Sequence, residues 1–586
     1  MKNKWMLILI AVSVFLGMAI AGLAQEVKNP DTLIIADYGT VDSLDPAYAY
    51  DTASGARLLN IYETLIFFDG EKTGEFVPML ATRVPSVDNS LISADGMTYI
   101  FPIRQGVKFH NGEVLTPEDV EYTFERAMVQ DRSGGPIWML FEPLLGIGGS
   151  RDSDGEISID FQDIDNAVEV MGDSVVFRLA APYPPLLGIM AYTLGGIVNK
   201  KFVVENGGWD GTAETWQDFN GPAPGEEILH AVTCGTGPFE LERWDPAVET
   251  VLIRNDDYWR EPAQLERVVL KYIEEWTTRK LMFLAGDVDV VQVDNQYILE
   301  MEGIEGIRIH KNLPALADTA AFYNFEINPE GNTDMGSGQL DGQGIPPDFF
   351  SDKDVRLAFS YSFDWDVFLR DAYFNEASQP SSPIVKGLPY INPEQPMYSR
   401  DRAKAEEHFQ KAWGGKVWEN GFKFTILYNT GNAQRRTAAH IFEDNVEALN
   451  PKFSIEVRPV EWATYLDELT AKKLTLFIIG WGADYPDPHN FVYPFMHTHG
   501  TFSEFQSYSN PEVDRLIAEG IASVDPAKRQ EIYYRLQEIY YEDVPSVGLN
   551  QALERRYERD WVHGWYYNPV ISNSRNVSYL YTIWKE

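Results

Sequence analysis

The amino-acid sequence predicts a multidomain protein of the α/β or α+β class. Its 586 residues are too many for a single hydrophobic core and favour two or three domains. A hydrophobic content of 44% and a charged content of 23% are ordinary for a soluble globular chain. Apolar patterns typical of strands and of helices follow one another along the whole sequence. Since no block contains only one type, a mixed fold is expected.

The first predicted elements are a strand, a turn and a helix. Leu33–Ala36 is a short apolar strand, and the turn-rich stretch after it closes at Asp45-Pro46. Apolar residues then recur with helical spacing from Leu58 to Leu65. This order places a tight turn between a buried strand and an amphipathic helix.

A second helix is predicted after two strands separated by the turns Gln105-Gly106 and Asn111-Gly112. Thr116 is a suitable N-cap, and Pro117 takes the first helical position. Asp119, three residues after Thr116, completes a capping box. The helix is therefore expected to begin at Pro117.

Later helices are predicted from their capping residues. Ser351 caps one helix, with Asp354 three residues further on, and Asp364 caps the next. Asp525-Pro526 opens an amphipathic helix near the C-terminus. Stretches rich in Gly, Asp, Ser and Pro are predicted to be loops or insertions: 145–165, 205–232 and 328–350.

The formal net charge of −40 argues against two classes of partner. Such a surface repels the phosphates of nucleic acids and the headgroups of anionic lipids, so no nucleic-acid partner is predicted. A solvated acidic surface is the simplest interpretation of the charge. The single cysteine, Cys234, excludes an intramolecular disulfide and a cysteine-based metal cluster.

The N-terminus has the features of an export signal. A charged region with Lys2 and Lys4 precedes the apolar run Trp5–Leu23. Gly22-Leu23-Ala24 then gives the small-x-small pattern of a cleavage site before Gln25. We expect a cleavable signal peptide over residues 1–24; an uncleaved membrane anchor is the alternative. No cysteine follows the run, so no lipoprotein anchor is expected. The mature protein is predicted to be periplasmic or otherwise extracytoplasmic.

The stretch "IIGWGADYPDPH", Ile478–His489, has two interpretations. An apolar strand ends in Gly-Trp-Gly and is followed at once by two carboxylates. In one interpretation Asp484 and Asp487 cap the next helix and Trp481 belongs to the core. In the other, Trp481 and Asp484 form the wall of a binding pocket.

No catalytic motif is found. The sequence lacks a Gly-x-Ser-x-Gly elbow, a His-Glu-x-x-His pair and a phosphate-binding loop. His489, His497 and His499 lie close in sequence but lack a cysteine or a well-spaced acid, which disfavours a transition metal. Asp484 and Asp487 are too close in sequence, beside two prolines, for the opposed acid and base of a glycosidase. The sequence predicts a non-enzyme with no cofactor and no metal.

Several motifs occur in one order over the whole chain. They are Asp45-Pro46 followed by "NIYETL", "FPIRQGVKFHNGEVLTPEDVEYTFER" (Phe101–Arg126), "GTGPFELERW", "IRNDDYW", "LAGDVDVV", "DKDVRLAFSYSFD", "GWGADYPDP" and "YSNPEVDRLI". With these motifs the chain resembles the extracellular solute-binding proteins of family 5, the dipeptide- and oligopeptide-binding components of ABC importers.

The resemblance implies a two-lobed fold of the periplasmic-binding-protein type II, cluster C. Two lobes close over a ligand around a hinge, and an additional α+β domain is inserted in lobe I. The implied hinge lies near Tyr272 and again near Asn550. The implied boundaries are lobe I at 26–55, 186–272 and 549–586, the extra domain at 56–185, and lobe II at 273–548.

The resemblance also implies the site. Asp484 matches an aspartate that pairs with the α-ammonium of a peptide, and Trp481 flanks it. We expect backbone donors of the glycine-rich turn to offset the desolvation of this carboxylate. Tyr50 and Thr52, after the Asp-Pro turn, and Tyr272, at the implied hinge, are further candidate ligand contacts.

The implied function is capture of a di- or oligopeptide by hinge closure and its delivery to the permease subunits of an ABC transporter, by a monomeric binding protein. Relatives that bind sugars also have the Trp481–Asp484 motif, and the aromatic content of 13% is high. An oligosaccharide therefore remains a possible ligand, and a secreted glycoside hydrolase is a remote alternative.

Trp561–Asn568 is expected to pack in the core of lobe I, or else to offer an aromatic platform to a sugar. Cys234 is expected to be a small buried hydrophobe, or else to line the cleft.

Overall fold

The computed structural model describes residues 27–132, 134–152, 155–571 and 578–586. The predicted signal peptide, residues 1–24, lies outside the described residues. In the part of the chain that is described, no helix combines the length and the apolar character needed to cross a membrane.

Strands and helices alternate along the described chain. The strands are β1 Thr32–Asp37, β2 Ile66–Phe68, β3 Phe76–Pro78, β4 Thr98–Pro102, β5 Val168–Met171, β6 Ser174–Arg178, β7 Phe239–Asp245, β8 Glu249–Arg254, β9 Arg267–Tyr272, β10 Val290–Val291, β11 Ile307–Pro314, β12 Ala317–Tyr323, β13 Ala377–Ser378, β14 Phe422–Asn429, β15 Phe453–Val460, β16 Leu476–Gly482, β17 Ser546–Arg559, β18 Val562–His563 and β19 Trp584–Lys585. The α-helices are α1 Thr52–Ile61, α2 Pro117–Gln130, α3 Trp138–Leu145, α4 Phe161–Ala167, α5 Leu186–Met190, α6 Lys200–Glu205, α7 Trp276–Ala285, α8 Lys353–Ser362, α9 Trp365–Tyr373, α10 Arg402–Lys411, α11 Lys416–Asn420, α12 Ala433–Glu447, α13 Trp462–Thr470, α14 His489–Met496, α15 Thr501–Gln506, α16 Pro511–Ala522 and α17 Pro526–Asp543.

The largest sheet has the strand order β16-β12-β17-β10-β1-β9-β8-β7. Its β1 pairs in parallel with β9 and β10, whereas β12 pairs antiparallel with β16 and β17. The predicted strand Leu33–Ala36 is the interior of β1, and Leu33, Ile35 and Ala36 are fully buried. An apolar run of this kind is typical of a strand covered on both faces of a mixed sheet. The predicted mixed α/β class is confirmed.

One long strand, β17, lies between β12 and β10 and so connects the two parts of this sheet. Its first residues pair with β12, and its later residues pair with β10 and β11. The chain crosses in the other direction from β11 to β12, between Pro314 and Ala317. Asn550 pairs with Thr319 at this crossing, close to the place where one hinge segment was expected.

The crossing does not lie at Tyr272, where the other hinge segment was expected. Tyr272 ends β9 and pairs with Asp37, and the chain then passes through α7 and returns to β1 at Val290. The reason is the βαβ connection, which brings the next parallel strand back to the same sheet. The predicted boundary between lobe I and lobe II at residues 272 and 273 stays a prediction, as do the other predicted domain boundaries.

Two smaller units lie outside the large sheet. Within the predicted extra domain 56–185, β4, β6 and β5 form an antiparallel sheet. Elsewhere β14 and β15 are parallel and are connected through α12, again as a βαβ unit. This unit places the first turn of α12 at the end of β14, where the cleft described below is found.

The capping predictions hold with one exception. The cap predicted at Ser351 is wrong: Asp352 is the N-cap, and its carboxylate accepts a hydrogen bond from the Asp354 amide at 2.8 Å. The reason is that Phe349–Ser351 forms a short 3-10 helix, so the α-helix begins two residues after Ser351. The other predicted caps are confirmed: Thr116, Asp364 and Asp525.

Candidate functional site

A cleft opens where the turn before α1 faces the end of β16. It contains two adjoining cavities of about 530 Å³ and 730 Å³, and Thr52 and Gly480 line both of them. One wall comes from residues around α1 and Tyr192, and the other from β16, α13 and α15. The predicted site residues that line the smaller cavity are Tyr50, Thr52, Trp481 and Asp484.

A glycine allows β16 to reach the cleft while paired with β12. A Cβ atom on Gly480 would lie 2.8 Å from the carbonyl oxygen of Asp318, which is closer than real Cβ contacts. The next residue, Trp481, packs its ring on Phe502 with centroids 5.6 Å apart and an interplanar angle of 85°. The indole is thus fixed in the cavity wall.

Asn490 holds the turn after β16 together. Its Oδ1 accepts hydrogen bonds from Trp481 Nε1 at 3.2 Å and from the Asp484 amide at 3.0 Å. Its Nδ2 donates to Asp484 Oδ2 at 3.1 Å. Asn490 is fully buried, so these bonds orient both predicted site residues through a side chain that sequence reasoning missed.

Asp484 is a buried carboxylate without a cationic partner. Tyr50 donates its hydroxyl to Asp484 Oδ2 at 2.9 Å. Burial raises the pKa of Asp484 to about 6, and hydrogen bonds from Asn490, Tyr50 and Tyr192 lower it only in part. Among the described residues, no basic side chain forms an ion pair with Asp484. The prediction that backbone donors stabilise this carboxylate is wrong, because the hydrogen bonds to Asp484 come from side chains of three separate segments.

Asp487, three residues away, has a different environment. Arg529 Nη2 donates to both of its carboxylate oxygens, at 2.7 and 2.8 Å. Its Oδ1 also accepts the amide of His489, the first residue of α14, at 2.9 Å. Asp487 is not the N-cap of α14, which is Pro488, but its carboxylate accepts the first helical amide, whereas Asp484 lines the cavity. Asp487 is satisfied by protein groups and is structural.

Two further aromatic residues that line the smaller cavity, Trp138 and Tyr192, were not predicted from the sequence. Trp138 Nε1 donates to the Tyr50 hydroxyl at 3.3 Å, and its ring stacks on Tyr493 with centroids 6.2 Å apart. Tyr192 lies near Asp484 and lines the same cavity. Nothing in their local sequence distinguishes them from core aromatics, because their role depends on segments distant in sequence.

The larger cavity is mostly polar and contains one guanidinium. Arg435, in the first turn of α12, is the single basic residue among the described residues that line either cavity. Its Nη1 donates to Asn429 Oδ1 at 2.9 Å, and its guanidinium lies 5.1 Å from the ring centroid of Trp462. No described carboxylate pairs with Arg435, and burial lowers the pKa of its guanidinium. The acids that line this cavity are Glu274, Asp294 and Glu554.

The remaining candidate residues lie away from the cavities. Tyr272 ends β9 and is not among the residues that line either cavity. Trp561 is buried and donates Nε1 to Asp289 Oδ1 at 2.8 Å, which agrees with a packing role. Cys234 is also buried, and burial raises the pKa of its thiol to about 11.

The three histidines make separate contacts. His489 Nε2 lies 2.9 Å from Glu142 Oε1 on α3. His497 stacks on Tyr493, and its ring lies 5.8 Å from that of His499. Within the described ranges no group of three or more His, Cys, Asp or Glu side chains is arranged to hold a metal ion.

The fold places two cavities between walls that are joined by crossing strands. The sequence matches the model of one family, bacterial extracellular solute-binding proteins, family 5, middle region, over residues 75–503. Because this match covers most of the chain, the protein belongs to the family 5 extracellular solute-binding proteins. The resemblance noted from the motifs is confirmed.

Similar proteins with curated descriptions cover nearly the full chain. The oligopeptide-binding protein OppA of Bacillus subtilis (strain 168) is 24% identical over 566 residues, which is 94% of each chain. The probable D,D-dipeptide-binding periplasmic protein DdpA of Escherichia coli (strain K12) is 23% identical, over 95% of each chain.

Solved structures share the fold. DppA from Helicobacter pylori, a periplasmic binding protein in complex with the peptide STSA, has a TM-score of 0.73 at 23% identity and covers 95% of this chain and 98% of its own. A dipeptide-binding protein from Pseudoalteromonas sp. SM9913, in complex with Met-Leu, has a TM-score of 0.72 at 20% identity, over 95% of this chain and 100% of its own. The chain therefore has the predicted periplasmic-binding-protein fold.

Proposed function

We propose that this protein is the solute-binding subunit of an ABC importer and that its ligand is a peptide with a free α-ammonium group. The observation that carries the proposal is Asp484, a buried carboxylate on the cleft with no cationic partner among the described side chains. Leaving a charge buried and unpaired is costly. A ligand that brings an ammonium group removes this cost, which is a reason for the site to select it.

Arg435 supports the same ligand class from the other end of the cleft. A peptide carries a carboxylate as well as an ammonium group, and Arg435 lines the polar cavity without a carboxylate partner. Guanidinium groups bind carboxylates through charge-assisted hydrogen bonds. We propose that Asp484 binds the α-ammonium and Arg435 the C-terminal carboxylate, with Trp481, Tyr50 and Thr52 beside them.

An oligosaccharide is the second candidate, because Trp138, Trp462 and Trp481 all line the smaller cavity. Stacked aromatic rings are suited to sugar rings. A neutral sugar, however, brings no cation for Asp484 and no anion for Arg435, so both groups would stay unpaired in the complex. The charges of the cleft favour a peptide.

Ligand capture is proposed to act through closure of the cleft. The hydrogen bond between Tyr50 and Asp484 joins the two walls directly. A ligand that contacts both walls stabilises this closed arrangement relative to an open one. We propose that the closed form then docks on membrane permease subunits and that the protein itself performs no chemistry. The proposal also includes cleavage of the signal peptide, an extracytoplasmic location and a monomeric state of the mature protein.

The test compares a tripeptide with its N-acetylated form by calorimetric titration at pH 7. In Asp484→Asn the free peptide should bind more weakly by about 1.5–3 kcal/mol, the value of a charge-assisted hydrogen bond. The acetylated peptide should bind the variant and the wild type equally. Glu274→Gln removes one exposed carboxylate from the same cleft and is the matched control. Equal affinity of the free peptide for Asp484→Asn and wild type would refute the anchor, and hexose-spaced masses released from the purified protein would favour the sugar.

A further inference from the structure

The smaller cavity is far larger than an ammonium group requires. Its volume of about 530 Å³ lies in the range of about 300–1,000 Å³ that is typical of small-molecule sites. Its lining is mostly apolar and comes from several separate segments, although Asp51, Thr193 and Thr501 also border it. The apolar side chains include Leu59, Phe67, Leu466, Ile479, Phe502 and Phe505.

Gly55 keeps part of this cavity open. It lies inside α1 and lines the cavity, and a Cβ atom built on it would have no neighbouring atom within 4 Å. Its backbone is helical, so no strained conformation requires glycine here, and no close packing requires it either. Glycine inside a helix is less favourable than alanine. What the missing side chain provides at this position is space.

We propose that Gly55 is a specificity-determining residue and that the apolar cavity beside it binds the side chain of the first residue of the peptide. This inference rests on the proposed function, since it takes Asp484 as the α-ammonium anchor. The first side chain branches from the same Cα atom that carries the ammonium. A peptide anchored at Asp484 must therefore place that side chain within the cavity that Asp484 and Gly55 share. The preferred ligands are peptides that begin with a bulky apolar residue.

The size of the preference follows from burial of apolar surface. Moving a leucine-sized side chain from water into an apolar cavity corresponds to a gain in affinity of about 10- to 100-fold over glycine. A leucine side chain introduced at position 55 would occupy the space that the ligand side chain needs. It would also suit the helix better than glycine does.

The experiment measures Kd values by calorimetry at pH 7 for Leu-Gly-Gly, Gly-Gly-Leu and Gly-Gly-Gly. Leu-Gly-Gly and Gly-Gly-Leu have the same composition and the same charged ends. Wild type should bind Leu-Gly-Gly at least about 10-fold more tightly than either other peptide. Gly55→Leu should lose this preference and still bind Gly-Gly-Gly, which also reports that the variant is folded. Gly55→Ala, the smaller change, should keep most of the preference.

The outcomes separate this inference from the function on which it rests. Equal affinity of wild type for Leu-Gly-Gly and Gly-Gly-Leu would overturn the side-chain subsite while leaving peptide binding intact. A uniform loss of affinity for all three peptides in Gly55→Leu, or no change in their ranking, would overturn the role of Gly55. No binding of any of the three peptides to wild type would overturn both the proposed function and the subsite.

Discussion

The hydroxyl of Tyr50 donates a 2.9 Å hydrogen bond to Oδ2 of Asp484, although the two residues are 434 positions apart in the chain. The bond joins the turn before α1 to the turn after β16, and so it closes the cleft at the place proposed to bind the ligand's ammonium. A neutral hydroxyl orients the carboxylate without neutralising it. Asp484 therefore remains available to a ligand cation.

The affinity for peptides should depend on pH through Asp484. Burial raises the pKa of Asp484 to about 6, and an ammonium ligand binds only the ionised carboxylate. Affinity should be constant between pH 7 and 7.5 and should fall as the pH drops through 6, by up to about 10-fold per pH unit. Titration calorimetry from pH 7 to 5 measures this dependence. Asp484→Asn should bind weakly with little pH dependence in this range; a wild-type affinity that is unchanged at pH 5 would contradict the assignment.

The same carboxylate should lower the stability of the unliganded protein. The folded-state pKa of about 6 lies above the ordinary pKa of an aspartate, 3.8, so the stability that Asp484 contributes when protonated is present below pH 3.8 and is lost as the pH rises through 6. At pH 7.5, Asp484→Asn should therefore be more stable than wild type by about 2–3 kcal/mol in the free energy of unfolding. Urea unfolding without peptide checks this value. The difference should shrink towards zero near pH 4, and a variant less stable than wild type at pH 7.5 would contradict the prediction.

Arg435 should recognise the other end of the peptide. Replacing Arg435 with methionine should lower the affinity for a peptide with a free C-terminal carboxylate by about 10- to 100-fold, which corresponds to the loss of a charge-assisted hydrogen bond. The same peptide with a C-terminal amide should bind Arg435→Met and wild type alike. Arg436→Met removes the neighbouring exposed arginine and is the matched control. If Arg435→Met lowers the affinity for the amide and for the acid equally, Arg435 has a structural role and does not bind the C-terminal carboxylate.

The ion pair between Arg529 and Asp487 should matter for folding and not for ligand chemistry. Both partners are buried, so Arg529→Met leaves an unpaired buried carboxylate and should cost about 3–5 kcal/mol in the free energy of unfolding. Arg515→Met breaks the exposed pair with Glu519 and should cost less than about 0.5 kcal/mol. Urea unfolding of the two variants makes the comparison. Similar small losses in both would show that Asp487 does not need its partner.

Local features of the fold could be predicted because they depend on neighbours in sequence. The strand around Leu33 and the helix starts at Thr116 and Asp525 follow from apolar spacing and from capping side chains within a few residues. The helix cap predicted at Ser351 lies one residue later, at Asp352, because Ser351 is the last residue of a 3-10 turn that contains the buried Phe349 and Phe350. Likewise, the crossing between Pro314 and Ala317 depends on which strands pair, and local sequence does not encode the pairing of distant strands.

The candidate site divides in the same way. The motif around Trp481 and Asp484 is continuous in sequence, and the family resemblance favoured a pocket wall over a helix cap there. Asn490, Tyr192 and Arg435 were missed, since each is an ordinary polar or aromatic residue until folding brings it to the cleft.

The sequence by itself determined the class of fold and the family, and it indicated the aspartate that is proposed to anchor a ligand, because these depend on local patterns and on the order of motifs. Only the tertiary structure decided that Asp484 is buried without a cation while Asp487 is paired, and that Gly55 borders an apolar cavity. The physical reason is that burial, ion pairing and cavity shape arise from segments hundreds of residues apart. Those contacts set the charge state of a carboxylate and the space beside it.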